Sequence, residues 1–403
     1  MREKELIVYR DFGQDGKLLS EMAWISRHFQ EKSRKARTKL YACMGGLLEL
    51  GGSHGFYGNL WHCYLSNLLV NHENSYSRAC EIRGAVEGTV NAAVLHDIAI
   101  FRELFTFDFA AVSRALQVPE FGQVLSYEGH EQESRVYNTR IRDRICTLAV
   151  RLAEAPSAEE MKERLTEFYR EYGVGKFGLH KAFRIGHRRT EDGAEAVVIE
   201  PILNIAHVKL SDLVGYETAK KKLVENTEAF VSGRKANNCL LYGDAGTGKS
   251  SSIKAIANEY YDRGLRIIEV YRHQFRDLND VIAQIKNRNY KFIIYMDDLS
   301  FEDFETEYKY LKAVIEGGLE KKPDNVLIYA TSNRRHLIRE KFSDKRERDE
   351  DLHTNDTVQE KLSLVYRFGV TIFFCAPDKK QFQNIVRVLA ERYGIKMPEE
   401  ELM

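Results

Sequence analysis

The chain has 403 residues, of which 43% are hydrophobic and 30% are charged, and its 60 Lys and Arg balance its 60 Asp and Glu. Such a chain is long enough for two or three domains and too hydrophobic to be disordered. No apolar run approaches the roughly 18 residues of a membrane span. The first residues lack the apolar core of a signal peptide. The six cysteines are scattered without a C-x-x-C pair, which favours reduced thiols, so we expect a cytoplasmic protein.

The first half of the chain predicts helices. Apolar residues recur at three- and four-residue intervals over 18–50, 90–117 and 137–173. This is the period of amphipathic helices that pack on one another. We therefore expect a mainly helical N-terminal domain over residues 1–195. Residues 174–206 have the pattern of a connector, for which a pair of strands and an extended linker both fit.

From about residue 207 the pattern alternates between helices and short apolar strands. The expected strands are 239–243, 265–272, 291–297, 325–333 and 370–376. The expected helices between them are 250–264, 275–288 and 307–319. Alternating strands and helices predict an α/β fold with a parallel sheet covered by helices. Ligands bind such sheets beyond the carboxyl ends of the strands.

A phosphate-binding loop follows the first of these strands. Its sequence GDAGTGKS has the pattern G-x-x-x-x-G-K-[ST] between a strand and a helix. The glycines let backbone N–H groups surround phosphate oxygens, and the helix adds its positive N-terminal dipole. The lysine can reach the β- and γ-phosphates, and the serine can ligate Mg²⁺. The nucleotide-binding residues predicted here are Gly243, Asp244, Ala245, Gly246, Thr247, Gly248, Lys249, Ser250 and Ser251.

Four polar residues next to later strands complete the predicted site. Asp297 and Asp298 end a buried strand; we expect Asp297 to hold Mg²⁺ together with Ser250, and Asp298 to orient or deprotonate the attacking water. Asn333 ends the next strand and is placed to lie between the γ-phosphate and that water. Arg367 precedes the last strand and can stabilise γ-phosphate charge in the site of a neighbouring subunit.

With these motifs the segment 207–376 resembles an AAA+ ATPase core. The segments LLYGDAGTGKSS, DDLSFE, AVIEGGLE and NVLIYATSNRRHLI resemble the bacterial family called domain of unknown function 815. The resemblance implies ATP and Mg²⁺ as cofactors and an adenine-binding segment before the first strand, including Val214 and Gly215. It also implies Walker A at 243–250, Walker B at 291–298, sensor 1 at Asn333 and an arginine finger at Arg367.

Two positions depart from the usual AAA+ pattern. Most members have Glu where this chain has Asp298, one methylene shorter, and Glu302 is a substitute with weaker support. The usual C-terminal helical lid with its sensor 2 arginine has little room over 377–403. Arg387 and Arg392 lie on the one clear lid helix without a recognisable sensor 2 context. We expect domains at 1–195, 196–376 and 377–403, the last a partial lid.

These patterns predict a Mg²⁺-dependent ATP hydrolase that remodels an unknown macromolecule. The alternative is a slow-turnover loader or switch that acts by binding. A GTPase is disfavoured because the N-K-x-D guanine motif is absent. The expected partners are ATP or ADP, further copies of the chain joined through Arg367, and a protein or nucleic acid that the sequence does not distinguish.

Overall fold

The chain divides into two units between Leu179 and His180. The computed structural model describes residues 2–84, 86–129, 137–190, 193–203, 205–299, 307–316, 323–333, 365–395, 397–398 and 402. The connector contains two strands of the second unit that pair with each other, and the first of them also pairs with the strand 265–269. Of the two interpretations of the connector, the pair of strands is therefore the correct one. The expected domain limits at 195 and 376 stay a prediction.

The first unit is helical, as its apolar periodicity predicts. Each long periodic segment folds as two helices, because a residue that caps a helix N-terminus interrupts it. Ser33, Asp108 and Ser157 each accept a hydrogen bond from the backbone three residues on. The helices are α1 Gly16–His28, α2 Arg34–His54, α3 Leu60–Asn71, α4 Ser75–Arg83, α5 Val90–Thr106, α6 Phe109–Leu116, α7 Gly122–Leu125, α8 Thr139–Ala153, α9 Ala158–Tyr172 and α10 Gly175–Leu179.

A buried carboxylate in α5 anchors the N-terminal segment of this unit. Asp97 is fully buried and accepts hydrogen bonds of 2.7–3.1 Å from the backbone amides of Ile7, Val8 and Tyr9. Such bonds to a charged acceptor satisfy amides that have no helical or strand partner. The segment before α1 is thereby held against the core of the unit, which includes the aromatic side chain of Trp61.

The described residues of the second unit form a sheet of seven strands in the order β2-β1-β4-β5-β6-β3-β7. Every neighbouring pair is parallel except β1 with β2, which is antiparallel. The expected α/β class with a mostly parallel sheet is confirmed, and the antiparallel edge strand is the difference. The strands are β1 Ala182–Arg189, β2 Glu195–Pro201, β3 Cys239–Gly243, β4 Leu265–Glu269, β5 Lys291–Met296, β6 Val326–Ser332 and β7 Val370–Phe374.

The helices of this unit are α11 Glu217–Val231, α12 Lys249–Glu259, α13 Leu278–Ile285, α14 Glu307–Glu316 and α15 Lys379–Arg392. Side chains of α11 and α12 pack on one face of the sheet, where Leu223 and Ile256 join the core formed by β3, β5 and β6. Both faces of the central strands are buried, as Ile293 and Ile294 show, which explains their continuous apolar runs. No described helix is both long and apolar enough to cross a bilayer.

Strand register brings three carboxyl ends together. Met296 of β5 lies opposite Ala330 of β6, and Tyr242 of β3 lies opposite Ser332 of β6. Strand β6 therefore separates β3 from β5, and the residues that follow these three strands meet at one edge of the sheet.

Candidate nucleotide-binding site

The loop from Gly243 to Gly248 connects β3 to α12 and needs glycine at three positions. Gly243, Gly246 and Gly248 have φ angles of +136°, +76° and +88°, which side chains disfavour. Gly243 also has no room for a side chain, because a Cβ would lie 2.0 Å from the backbone oxygen of Phe374 in β7. The close approach of this loop to β7 therefore requires glycine.

Gly243→Ala is expected to lower the free energy of unfolding by about 3 kcal/mol, because the clash is with backbone that a side-chain rotation cannot relieve. Gly246→Ala is the matched control, since its φ is also positive but a Cβ would meet nothing within 4 Å. We expect it to cost about 1 kcal/mol. Denaturant unfolding of both variants checks this, and equal losses would contradict it.

Lys249 lies inside the loop. Its side chain is buried, with 6% of its surface exposed. Its Nζ donates to the backbone oxygens of Gly243 at 3.0 Å and Asp244 at 2.5 Å. Burial lowers the pKa of Lys249, and the nearby carboxylates oppose that shift. The loop thus holds a cation at its centre, where it can meet phosphate oxygens.

Asp297 follows β5 and joins Ser250 of α12 to Thr331 of β6. Its Oδ1 accepts a 2.7 Å hydrogen bond from the Ser250 hydroxyl and a 2.5 Å bond from the Thr331 hydroxyl. Burial alone would raise the pKa of Asp297, but the hydrogen-bond donors, Thr331 first, outweigh it and the pKa is lowered. The carboxylate is therefore charged at neutral pH.

The oxygens of Ser250 and Asp297 suit Mg²⁺. A hydroxyl and a carboxylate are hard ligands, and Mg²⁺ is usually bound by few protein ligands and keeps several waters. Among the described residues, no three His, Cys, Asp or Glu side chains come together as a metal site. A pair of oxygen ligands beside a phosphate loop fits Mg²⁺ bound with a nucleotide better than it fits a fully protein-coordinated metal.

Asp298 and Asn333 are brought into contact. The Asn333 amide Nδ2 donates to Asp298 Oδ1 at 2.9 Å. Asp298 has a φ of +50°, a left-handed conformation that Asp tolerates better than most residues. Its backbone amide donates to the Thr331 hydroxyl at 3.0 Å. The two predicted catalytic side chains, from positions 35 apart in the chain, thus form one polar pair.

Thr331 is the residue that the sequence did not single out. Its hydroxyl donates to the Asp297 carboxylate and accepts from the Asp298 amide, and its backbone oxygen accepts from Leu299 at 2.7 Å. It therefore orients both acids at once. The only sequence signal was a hydroxyl residue within a strand otherwise apolar over VLIYA.

The segment with Val214 and Gly215 lies beside the phosphate loop. A Cβ on Gly248 would lie 3.4 Å from Leu213, so the two loops approach each other closely. Lys220 donates to the Leu213 backbone oxygen at 2.8 Å. This segment is therefore close to the phosphate loop, and its contact with adenine stays a prediction.

The C-terminal helix α15 contacts the same segment. Arg392 donates to the backbone oxygens of Ser211 at 2.6 Å and Asp212 at 3.0 Å. The phosphate loop is tied to the connection before α15, because Asp244 Oδ2 accepts from the Ala376 amide at 2.7 Å. Arg392, which has no recognisable sensor 2 context in the sequence, thus binds backbone oxygens before α11.

Arg367 lies at the amino ends of the parallel strands, opposite the end that carries the phosphate loop. Val370 pairs with Cys239 and Phe374 with Gly243, so Arg367 precedes β7 at the edge where the parallel strands begin. The phosphate loop follows the edge where they end. Arg367 is exposed, and it does not join Asp298 and Asn333 in the site of its own chain.

The remaining predicted residues lie in or near the loop, or outside the described part of the chain. Ala245 is exposed, Ser251 is half-buried in the first turn of α12, and the Thr247 hydroxyl donates to the Asp244 backbone oxygen at 2.8 Å. Glu302, a possible substitute for Asp298, lies outside the described residues.

Replication factor C large subunits are similar to a short part of this chain. The replication factor C large subunit of Staphylothermus marinus is 39% identical over 74 residues, 18% of this chain and 17% of that protein. The Methanococcus maripaludis protein of the same name is 40% identical over 77 residues, 19% and 15% of the two chains. The chain therefore spans less than a fifth of the length of these relatives.

Among solved structures, the Thermotoga maritima RuvB Holliday junction branch migration motor has a TM-score of 0.34 at 16% identity, covering 47% of this chain and 55% of that one. DnaI has a TM-score of 0.30 at 21% identity, covering 43% and 90%. A model of the family described as Protein of unknown function (DUF815) matches residues 181–403, as the sequence resemblance predicted. Because that match covers more than half of the chain, the protein belongs to this family.

Proposed function

We propose that the second unit binds ATP with Mg²⁺ and hydrolyses it. The observation that carries the proposal is the convergence of four polar groups beside the phosphate loop. The Ser250 hydroxyl donates to Asp297, and the Asn333 amide donates to Asp298. The Thr331 hydroxyl links the two pairs, because it donates to Asp297 and accepts from the Asp298 amide. A loop for phosphate, a pair of metal ligands and a carboxylate near them are the parts that nucleotide hydrolysis requires.

Each residue has a role in this proposal. Ser250 and Asp297 would hold Mg²⁺, which supplies neutralising charge to the phosphates when bound. Lys249 binds the β- and γ-phosphate oxygens as a point charge. Asp298 accepts a proton from the attacking water, and Asn333 holds the Asp298 carboxylate in place through its amide. The Val214–Gly215 segment contacts adenine.

Hydrolysis would then be coupled to remodelling of a protein or nucleic acid by an assembly of several copies. The position of Arg367 supports this part of the proposal. It is exposed and lies at the amino ends of the parallel strands, whereas the phosphate loop of its own chain lies at their carboxyl ends, so we place it in the site of a neighbouring copy. There it would stabilise the charge that develops on the γ-phosphate.

A second function, a slow ATP-controlled switch or loader, is favoured by one observation. The Asp298 side chain is short, and one of its oxygens is already engaged by Asn333. A carboxylate in this position has less freedom to approach a water than the longer glutamate of most relatives. Binding and release of nucleotide, rather than rapid turnover, would then control the partner.

Steady-state phosphate release from ATP with Mg²⁺, measured over a range of protein concentrations, tests the proposal. A rate per chain that rises with concentration would support hydrolysis in an assembly. Tight ATP binding without phosphate release would favour the switch. Absence of both nucleotide binding and release would overturn the proposed function.

A further inference from the structure

One buried hydroxyl in the second unit lacks a hydrogen-bond partner where one is needed. Tyr295 of β5 is 3% exposed, and its Oη has no hydrogen bond to any residue that the structure describes. Its partner across the sheet, Tyr329 of β6, is as deeply buried, but its hydroxyl bonds Asn226 at 2.9 Å and Thr227 at 3.0 Å. Buried hydroxyls are normally satisfied in this way, so Tyr295 requires an explanation.

The unpartnered hydroxyl lies at the predicted metal ligands. Tyr295 lies near the end of β5, two residues before Asp297, which follows the strand. Burial first, and then the Asp297 carboxylate, raise the pKa of Tyr295, whereas the Ser250 and Thr331 hydroxyls lower it. The phenol in turn helps to lower the pKa of Asp297. The hydroxyl is therefore close to Ser250, Asp297 and Thr331 without a hydrogen bond of proper geometry to any of them.

Packing alone does not account for this hydroxyl. Phenylalanine would fill the same space between β5 and α12 and would avoid the cost of a buried hydroxyl without a partner. The Asp297 carboxylate already has two donors, because its Oδ1 accepts from the Ser250 and Thr331 hydroxyls. A hydroxyl retained at such a place is explained if it gains its partner in another state of the same site.

We propose that Tyr295 is a positioning residue of the Mg²⁺ site. When Ser250 and Asp297 hold the ion, the Tyr295 hydroxyl would hydrogen-bond an oxygen ligand of that ion. This inference rests on the proposed function, since it requires Mg²⁺ to bind with nucleotide. Groups that orient the ligands of a metal typically change its affinity by about 10- to 100-fold when removed. Tyr295 acts through those ligands and does not touch the nucleotide.

Tyr295→Phe tests the proposal, with Tyr329→Phe as the matched control. Both remove one buried hydroxyl from facing positions of neighbouring strands. The readout is the affinity for a fluorescent ADP derivative, titrated with Mg²⁺ and repeated in EDTA. Mg²⁺ should increase the affinity for the ADP derivative. We expect Tyr295→Phe to raise the Mg²⁺ concentration that gives half of this increase about 10-fold, and to leave the affinity in EDTA unchanged. Tyr329→Phe should need the same Mg²⁺ as wild type.

Thermal unfolding without nucleotide separates this role from a structural one. Tyr295→Phe should melt at the wild-type temperature or above it, because it removes an unsatisfied group, whereas Tyr329→Phe should melt lower. An unchanged Mg²⁺ requirement in Tyr295→Phe would overturn the inference and leave the proposed function standing. It would also be overturned if Tyr295→Phe melted at a lower temperature and lost equal affinity for ADP in Mg²⁺ and in EDTA. If wild type bound ADP without any effect of Mg²⁺, the inference would fail, whereas the proposed function would fail only if wild type neither bound nucleotide nor released phosphate from ATP.

Discussion

Asp298→Asn is expected to bind ATP as wild type does and to release phosphate roughly 10²- to 10⁴-fold more slowly. The change removes the charge that accepts a proton from water but keeps the size of the side chain. Asparagine tolerates the left-handed backbone at this position, where φ is +50°. Its amide oxygen can still accept from Asn333, so the surrounding network has no reason to rearrange. Single-turnover phosphate release measures the effect separately from nucleotide binding.

The control for this experiment is the affinity for ATP and the melting temperature of the same variant. Both should match wild type, since Asp298 is not among the residues expected to contact nucleotide. Phosphate release within about twofold of wild type would exclude Asp298 as the base. Glu302 would then be the next carboxylate to replace.

Lys249→Met is expected to weaken ATP binding by about 10- to 100-fold, the loss that follows removal of one or two hydrogen bonds to a charged group. Methionine keeps the apolar stem and removes only the ammonium, which lies inside the phosphate loop. Equilibrium titration with a fluorescent ATP derivative measures the change. Lys235→Met, at an exposed position before β3, is the matched control and should bind ATP normally.

The melting temperature of nucleotide-free Lys249→Met should stay near that of wild type. Burial lowers the pKa of Lys249, so the folded state disfavours the charged ammonium relative to the unfolded chain at neutral pH. Removing that charge offsets the two hydrogen bonds lost to the loop carbonyls. A large fall in melting temperature would mean that weakened ATP binding reflects misfolding, and would contradict the role given to Lys249.

Local patterns explain why much of the second unit was predictable. A strand buried on both faces appears in the sequence as a continuous apolar run, which makes its bounds easy to predict. Strand β3 has the expected bounds 239–243, and β5 ends within one residue of the expected 297. The phosphate loop was also evident, because its function depends on consecutive backbone amides and therefore on a contiguous sequence. Parallel strands joined by helices place their carboxyl ends at one edge, which was enough to bring Asp298 and Asn333 together.

The first unit was predictable in class but not in its boundaries. Periodicity indicated helices, yet each periodic segment splits at a capping residue such as Ser33 or Ser157. Amphipathic spacing continues through such a break when both helices bury residues in the same core. The sequence of the connector likewise fitted two structures, and its pairing with β4 decided between them.

Contacts between distant residues required the tertiary structure. Thr331 reaches Asp297 across 34 positions of sequence, because the register of β6 against β5 places them side by side. In this register Tyr295 lies opposite Tyr329, whose hydroxyl bonds α11, while the Tyr295 hydroxyl has no hydrogen bond to the described residues. Sequence alone thus determined the fold class, the family and the residues of the phosphate loop, since these depend on local pattern. Only the folded sheet decided which hydroxyls orient the acids, because that depends on how strands far apart in the chain align.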